Sequence, residues 1–229
     1  GDVYKRQLIS IILISIISLL LIAQPDIGQT LLVVFCWVVL IFTSGINIYI
    51  LLAIFIAGAS LLTYLIIYVP KFDYIQGRIF SFFNRETGTH NFQSDKAIES
   101  ITSGGFFGKG IGEGVLKNRV PEAHTDYIIS VISEEFGVVA IMLILLLFLI
   151  LLYMVFKKIS FETNDKVKLI LIGSISLILM QATIHVGVNI RLFPTTGMTL
   201  PFLSYGGSSI ISTSILAGII LNLTKRKIT

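Results

Sequence analysis

The sequence predicts an all-α fold, a polytopic membrane helical bundle of six transmembrane helices with a long extracytoplasmic loop that contains short helices. Hydrophobic residues make up 55% of the chain and charged residues only 13%, whereas a soluble domain carries roughly 25% charged residues. The apolar residues also gather into six long segments, and a membrane-spanning helix needs about 20 mostly apolar residues. Both observations predict one membrane domain over residues 8–222.

The six segments are expected to be helices because backbone groups in lipid must be hydrogen-bonded within their own segment. Their approximate bounds are 8–23, 28–45, 48–69, 128–156, 167–190 and 198–222. Positively charged residues mark the cytoplasmic ends of such helices. Nine of them flank the ends of the first, fourth, fifth and sixth segments, and a topology of six spans places all nine on the same side of the membrane. They are Lys5, Arg6, Lys157, Lys158, Lys166, Lys168, Lys225, Arg226 and Lys227. Both termini are therefore expected in the cytoplasm.

Residues 70–127 form the long connection, which this topology places outside the membrane. Its basic and acidic residues nearly balance, which suits a folded, solvated loop and gives no reason to expect nucleic-acid binding. Ser94 is a candidate N-cap, and Ala97, Ile98 and Ile101 follow at helical spacing. A short interfacial helix is predicted there, and loops of this length often carry function.

A glycine-rich stretch, GGFFGKGIGEG, covers residues 104–114 and includes Lys109. Bare backbone N–H groups in such a loop can surround a phosphate. Glycines also allow a tight surface turn or a close backbone approach to a neighbouring helix. The sequence leaves both interpretations open, and the second is the commoner one.

The stretch PEAHTDYIISVISEEFG, residues 121–137, places carboxylates where a membrane helix begins. Pro121 favours a helix start, and Glu122 and Asp126 would share one face of that helix. A helix from Asp126 to Phe156 would measure roughly 46 Å at ~1.5 Å per residue, against a hydrocarbon core of ~30 Å. Its first turns must therefore project above the lipid or lie inside the protein, with the carboxylates at the outer mouth of a cavity.

Glu134 and Glu135 lie two turns further along this segment. The positive end of a helix dipole explains acids in a first turn, but it does not reach these two. Ionisable groups at such depth are costly and usually mark a function. The pattern therefore favours a functional carboxylate cluster over a solvated helix start.

Polar residues also line the end of the fifth segment. Gln181, His185 and Asn189 are spaced by four, which favours interhelical hydrogen bonds, and a lone His185 is more often a hydrogen-bonded packing residue than a base. Arg191 could bind a phosphate in a bidentate manner or extend to lipid headgroups.

The stretch LPFLSYGGSS, residues 200–209, contains Ser204, Gly206, Gly207 and Ser208. Its small residues permit close helix contact, or they line a ligand path. No zinc or haem spacing is present, because the three histidines are far apart and no cysteine cluster accompanies them.

Three motifs in order, SGGFFGKGIGEG, PEAHTDYIISVISEEFG and GMTLPFLSYGGSS, resemble the SEDS family (shape, elongation, division and sporulation) and most closely its cell-division branch. The resemblance runs from QPDIGQ, residues 24–29, to the end of the chain. Members have ten spans, and this chain resembles the last six of them.

The resemblance implies a peptidoglycan glycosyltransferase that polymerises lipid II at the outer face of the bacterial cytoplasmic membrane. The family's catalytic aspartate corresponds to Asp126, which would act as a general base toward the acceptor sugar's 4-hydroxyl. The lipid diphosphate that leaves needs positive charge nearby, from side chains or from a divalent cation such as Mg²⁺ or Mn²⁺. The substrate-binding residues implied or suggested by position are Glu122, His124, Thr125, Lys109, Arg191, Thr196, Ser204, Gly206, Gly207 and Ser208.

One departure from the family is visible at Thr196, because division members often carry lysine there. Arg191 is a candidate substitute for that charge. Expected partners are lipid II, a class B penicillin-binding transpeptidase, other division proteins and membrane lipids. Two alternatives stay open: a lipid II flippase, and a non-catalytic scaffold that recruits the transpeptidase.

Overall fold

The computed structural model of the chain describes residues 2–83, 89–115 and 120–225. Within these ranges every element of regular secondary structure is helical, which confirms the predicted fold class. The elements are α1 (Asp2–Ala23), α2 (Ile27–Thr43), α3 (Ile48–Tyr68), a 3₁₀ turn (Pro70–Phe72), α4 (Asp73–Phe83), α5 (Thr89–Gly104), α6 (Ile128–Phe161), α7 (Asp165–Asn189) and α8 (Gly207–Thr224). Six charged residues used in the charge pattern lie outside the described residues: Arg85, Glu86, Lys117, Arg119, Arg226 and Lys227.

Four of the described helices, α3, α6, α7 and α8, are long and apolar enough to cross a membrane. Two more, α1 and α2, are apolar over the shorter stretches Gln7–Ala23 and Ile27–Thr43. Large apolar side chains are exposed on these helices, such as Leu19, Phe55 and Met142. That pattern fits helices whose outer surface meets lipid, so the chain is a multi-pass membrane protein, while the count of six spans stays a prediction.

The predicted start of the sixth span is wrong, because residues 198–206 are not helical and α8 begins at Gly207. Pro201 removes one backbone donor, and Phe202 has a left-handed backbone with φ of 68°. The N–H of Leu200 donates to the Ser204 hydroxyl at 2.8 Å. The segment therefore forms a side-chain-stabilised loop between α7 and α8.

The chain divides into two compact units, Gly1–Phe80 and Ser81–Thr229. In the first unit α1 packs against α2. In the second unit the core forms between α6, α7 and α8, and its buried residues are Val155, Leu171, Ile175, Ile178 and Ile220. All the candidate site residues belong to the second unit.

The helix predicted in the long loop is confirmed as α5, but it is longer than predicted. Ser94 is not its N-cap, since it lies inside α5 and is buried. Ser94, Ala97 and Ser100 recur every three residues and share one buried face. This face packs α5 against α6.

Helix α6 is broken at Gly137, whose φ of 78° lies in the left-handed region. The break separates a helical segment over 128–136 from another over 138–161. The glycine-rich loop forms hydrogen bonds with the backbone groups on both sides of the break. Val138 and Val139 donate N–H groups to loop carbonyls at 3.0 and 3.2 Å, while the carbonyls of Glu134 and Glu135 accept loop N–H groups at 2.9 and 3.1 Å. The single continuous helix expected from Asp126 to Phe156 is therefore two helical pieces joined through a loop.

Candidate functional site

Asp126 lies in a turn and not in the helix that was expected to begin near Pro121. Residues 120–127 form turns before α6 starts at Ile128. Glu122 adopts a left-handed backbone with φ of 54°, which no helix start can accommodate. Its carbonyl accepts the N–H groups of three residues that follow at 3.0–3.3 Å: Thr125, Asp126 and Tyr127. Glu122 and Asp126 are neighbours through this turn and not through a shared helix face.

Three consecutive carbonyls of the turn accept hydrogen bonds from three donors that are distant in sequence. The donors come from the end of α7 and from the loop before α8. The pairs are Tyr205 N with His124 O at 3.0 Å, Ser204 Oγ with Thr125 O at 2.6 Å, and Asn189 Nδ2 with Asp126 O at 3.0 Å. We call Asn189, Ser204 and Tyr205 the carbonyl clamp. The clamp holds the backbone of Asp126 in place from two separate elements.

Ser204 is the central member of the clamp and is buried. Its hydroxyl donates to Thr125 O and also accepts the N–H of Leu200 at 2.8 Å. Asn189 is likewise engaged twice, because its amide also donates to the carbonyl of His185 at 2.9 Å. Neither donor is a loose surface group, so the position of the Asp126 backbone is set by the protein interior.

The Asp126 carboxylate is half-buried and lies beside Gly197. A methyl group placed on Gly197 would come within 3.5 Å of Asp126 Oδ2. Burial raises the pKa of the Asp126 carboxyl above its usual range, and the nearby Glu122 charge raises that pKa further. A carboxylate with a raised pKa is a better proton acceptor near neutral pH, and such shifts gather at functional sites.

Buried polar atoms without hydrogen-bond partners lie on elements that contact this turn. Among the described residues they include His185 Nε2, Asn189 Oδ1 and Thr196 Oγ1. Leaving a buried polar atom unpaired costs about 1–3 kcal/mol, so atoms of this kind call for a partner such as water or a polar ligand. Two of the three, His185 Nε2 and Asn189 Oδ1, are hydrogen-bond acceptors.

The polar stripe on α7 forms hydrogen bonds as predicted, but mainly with loops and turns, and within the described residues only Gln181 reaches another helix, at Ser209 of α8. His185 Nδ1 donates to the Met198 carbonyl at 2.7 Å, and Gln181 donates to the Thr199 carbonyl at 2.9 Å. The stripe therefore fastens the loop between α7 and α8 to α7. The sequence did not show that Asn189 reaches Asp126, although its place at the end of the stripe was visible.

The other predicted site residues are distributed around the turn. His124 is exposed, and Thr125 donates its hydroxyl to Glu122 Oε2 at 3.0 Å. Gly207 and Ser208 begin α8 and are exposed, and Gly206 precedes them as the N-cap residue. A methyl group on Gly206 would come within 3.3 Å of Thr199.

The two predicted cationic ligands have carboxylate partners of their own. Arg191 follows α7 and forms an ion pair with Asp95 of α5. Lys109 lies in the glycine-rich loop, with its Nζ 3.6 Å from Glu134 Oε1. Within the described part of the chain neither side chain hydrogen-bonds to the Asp126 turn.

The glycine-rich loop approaches α6 closely, as one of its two interpretations predicted. Methyl groups on Gly104 and Gly108 would come within 1.9 and 2.2 Å of backbone oxygens of α6. Loop N–H groups that a phosphate cradle would need are already donated, those of Gly108, Lys109 and Gly110 to backbone carbonyls. The structure therefore favours a packing role for this loop.

Glu134 and Glu135 bind this loop, which corrects their expected place at a cavity mouth with Asp126. Glu134 is fully buried and accepts from Ser100 Oγ at 3.1 Å and from Val115 N at 3.0 Å. Glu135 accepts the N–H of Gly112 at 3.2 Å. These carboxylates can be tolerated at this depth because loop N–H groups donate hydrogen bonds to them and the Lys109 ammonium lies near Glu134.

No group of three His, Cys, Asp or Glu side chains among the described residues could hold a metal ion on its own. Mg²⁺ often binds through only one or two carboxylates, with substrate phosphates and water completing the shell. Asp126 and Glu122 are two such carboxylates, and Glu122 Oε2 already accepts the Thr125 hydroxyl at 3.0 Å.

These features define a class: a helical multi-pass membrane protein with a half-buried carboxylate held in the turn before a helix. The chain belongs to the FtsW, RodA and SpoVE family, described as cell cycle proteins, whose model matches residues 3–228. This confirms the family resemblance found in the motifs. A probable peptidoglycan glycosyltransferase FtsW of Caulobacter vibrioides is 35% identical over 225 residues, which cover 96% of this chain and 55% of the relative.

A second relative, a probable peptidoglycan glycosyltransferase FtsW of Enterococcus hirae, is 32% identical over 240 residues, covering 99% of this chain and 60% of the relative. The chain thus spans a little over half the length of these relatives. A solved structure described as the structural coordination of polymerization and crosslinking by a peptidoglycan synthase complex matches with a TM-score of 0.72 and 28% identity, over 94% of this chain and 60% of that one. The rod shape determining protein RodA of Thermus thermophilus, in an aspartate-to-alanine mutant, matches with a TM-score of 0.59 and 29% identity, over 94% of this chain and 55% of that one.

Proposed function

We propose that the chain carries the Asp126 site of a peptidoglycan glycosyltransferase that polymerises lipid II into glycan strands during cell division. The relatives' names and the family motifs support this class of reaction. The observation that carries it is the half-buried Asp126 carboxylate, whose backbone is held by three hydrogen bonds. The site is proposed to face outward from the bacterial cytoplasmic membrane, beside a class B penicillin-binding transpeptidase.

Asp126 would act as a general base. Its carboxylate takes the proton from the 4-hydroxyl of the acceptor sugar as that oxygen forms a bond to the donor's anomeric carbon. The bond between that carbon and the lipid diphosphate breaks, and the diphosphate leaves with the electron pair. A base positioned in this way contributes typically 10²–10⁴-fold to a rate, and the raised pKa of the Asp126 carboxyl favours proton acceptance.

The carbonyl clamp would keep that carboxylate in reach of the hydroxyl. A displacement of about 1 Å in a catalytic group can cost 10²-fold in rate.

The leaving diphosphate needs positive charge, and three sources are proposed for it. Arg191 and Lys109 each have a carboxylate partner, Asp95 and Glu134, so a diphosphate would have to compete with that partner. A divalent cation that arrives with the diphosphate is the third source, and it would supply charge neutralisation at the leaving oxygen.

The test is polymerisation of purified lipid II by the full-length protein together with its transpeptidase, with Asp126→Ala compared to Ser212→Ala, an exposed serine on α8. We expect Asp126→Ala to abolish chain growth and Ser212→Ala to retain it. Lipid II translocation into liposomes is measured in parallel. Polymerisation that survives in Asp126→Ala would remove the enzyme proposal. Loss of translocation in Asp126→Ala with polymerisation intact would favour the flippase. Absence of both polymerisation and translocation in the parent and in every variant would favour the scaffold.

A further inference from the structure

The glycine-rich loop exposes large apolar side chains that its own fold does not cover. Phe106, Phe107 and Ile111 are 75%, 83% and 78% exposed. Neighbouring exposed apolar residues of this size mark a surface that meets a partner or a membrane. Part of the loop's polar surface faces α6, since Lys109 and Gly110 donate backbone N–H groups to α6 carbonyls and the Lys109 ammonium lies 3.6 Å from Glu134. Glu113, at the end of the loop, is exposed.

The position of the loop along α6 locates it relative to lipid. The stretch from Val138 to Phe156 has no charged side chain and measures about 28 Å, close to the ~30 Å hydrocarbon core. Lys157 follows at its far end. Gly137 therefore marks the other boundary of the hydrocarbon.

The loop is attached at this boundary. Its carbonyls at Gly105 and Phe106 accept the N–H groups of Val138 and Val139, the first two residues of the uncharged stretch. Val139 and Met142 on the same helix are themselves exposed, at 52% and 62%. The apolar surface of the loop thus continues the lipid-facing surface of α6.

A loop can enter lipid only when its backbone groups are satisfied within the protein. Three consecutive N–H groups of this loop meet that condition, because Gly108 donates to Gly104, Lys109 to Glu134 and Gly110 to Glu135. The Lys109 charge lies 3.6 Å from the buried Glu134 carboxylate. These three N–H groups and the Lys109 charge are therefore paired within the protein.

We propose that residues 105–111 form a membrane wedge, in which Phe106, Phe107 and Ile111 insert into the acyl-chain boundary of the leaflet nearest Gly137. The wedge fixes the broken end of α6 against the bilayer. This inference goes beyond the proposed function and depends only on α6 crossing a membrane.

The experiment places a single tryptophan in the loop. The full chain is reconstituted in nanodiscs made with lipids brominated along the acyl chain, in a Trp37→Phe background that removes the one native tryptophan. Phe107→Trp and Ile111→Trp are the probes. Phe92→Trp is the matched control, because Phe92 is 51% exposed and the Lys96 ammonium lies 5.9 Å from the centroid of its ring. A side chain next to a lysine ammonium is expected outside the acyl chains.

We expect brominated lipid to quench both loop probes strongly, with blue-shifted emission, and to leave the Phe92→Trp probe largely unquenched. Loop probes that aqueous iodide quenches and brominated lipid does not would overturn the proposal. Equal quenching of loop and control probes would also overturn it. Loop probes shielded from both quenchers would contradict it in favour of a protein surface over the loop. The chain with Trp37 intact, on an apolar helix, serves as the positive control for lipid quenching.

Discussion

Removing the Ser204 hydroxyl tests whether the carbonyl clamp positions the catalytic turn. Ser204→Ala deletes two hydrogen bonds at once: the 2.6 Å bond to Thr125 O and the 2.8 Å bond from Leu200 N. Ser204 is only 3% exposed, so water has poor access to replace the lost hydroxyl. A half-buried carbonyl and a buried N–H would both lose their partner.

The magnitude follows from those two groups. The buried N–H left unpaired costs about 1–3 kcal/mol, and the half-buried carbonyl costs less because water can reach it, so Ser204→Ala is expected to lower the free energy of unfolding by at least about 1–3 kcal/mol. The turn that carries Asp126 would also be free to shift, and a shift of about 1 Å can reduce kcat 10²-fold. Because both hydrogen-bonding roles of the Ser204 hydroxyl are taken by backbone groups, KM for lipid II should change little.

The assay combines thermal unfolding in detergent with lipid II polymerisation by the full-length protein and its partner. Ser212→Ala is the control, because Ser212 is exposed and its hydroxyl bonds only within α8. Ser204→Thr, which keeps the hydroxyl, should recover part of the rate. If Ser204→Ala polymerised as fast as Ser212→Ala, the clamp would have no role in positioning Asp126.

Three further predictions concern the same unit and its glycine break. Glu122→Gln removes a charge that raises the pKa of the Asp126 carboxyl, so the acid limb of the pH–rate profile should move to lower pH. The control Glu113→Gln, which replaces an exposed acid in the glycine-rich loop, should leave the limb in place, and a shift to higher pH in Glu122→Gln would contradict the reasoning. Since the folded-state pKa of Asp126 is raised, its ionised form costs stability above that pKa, so Asp126→Asn should unfold at the same or a higher temperature at neutral pH, and a clear drop would contradict this. Gly137→Ala would place a methyl group 2.2 Å from a backbone oxygen, at a residue whose φ is 78°, and the backbone strain alone would cost at least about 1–3 kcal/mol. Fluorescence-detected size exclusion should show loss of folded Gly137→Ala protein, whereas Gly58→Ala, where no atom lies within 4 Å of the new methyl group, should behave as the parent.

The helices could be predicted from sequence because their signal is local. Long apolar runs ended at polar residues that cap them, as Asp26 does for α2 by accepting the N–H of Gln29 at 2.9 Å. The bounds of α2, α3 and α7 lie within two residues of those predicted. Each of these decisions depends on residues a few positions apart, which is the range that periodicity and capping describe.

The turn at Asp126 could not be predicted in this way, because distant residues determine it. Asn189 and Ser204, which hold its carbonyls, lie 63 and 79 positions further along the chain than the residues they bind. A helix starting near Pro121 satisfied every local rule, and only the left-handed Glu122 shows why the chain departs from it.

The roles of Glu134 and Glu135 were misassigned for a similar reason. Their depth in an apolar segment was visible, but their partners come from a loop about 20 residues earlier. The glycines of that loop permit the approach, and the carboxylates receive its N–H groups. Two features that seemed separate in the sequence are one packed unit in the structure.

The central claim is that the Asp126 carboxylate accepts the proton of the attacking hydroxyl. Asp126→Asn tests it most directly, because the amide keeps the shape of the side chain and removes the base. In the full-length protein with its transpeptidase, we expect the rate of lipid II polymerisation to fall by about 10²–10⁴-fold while folding and partner binding stay unchanged. A rate within a factor of about two of the parent, far below what loss of a general base costs, would contradict the claim.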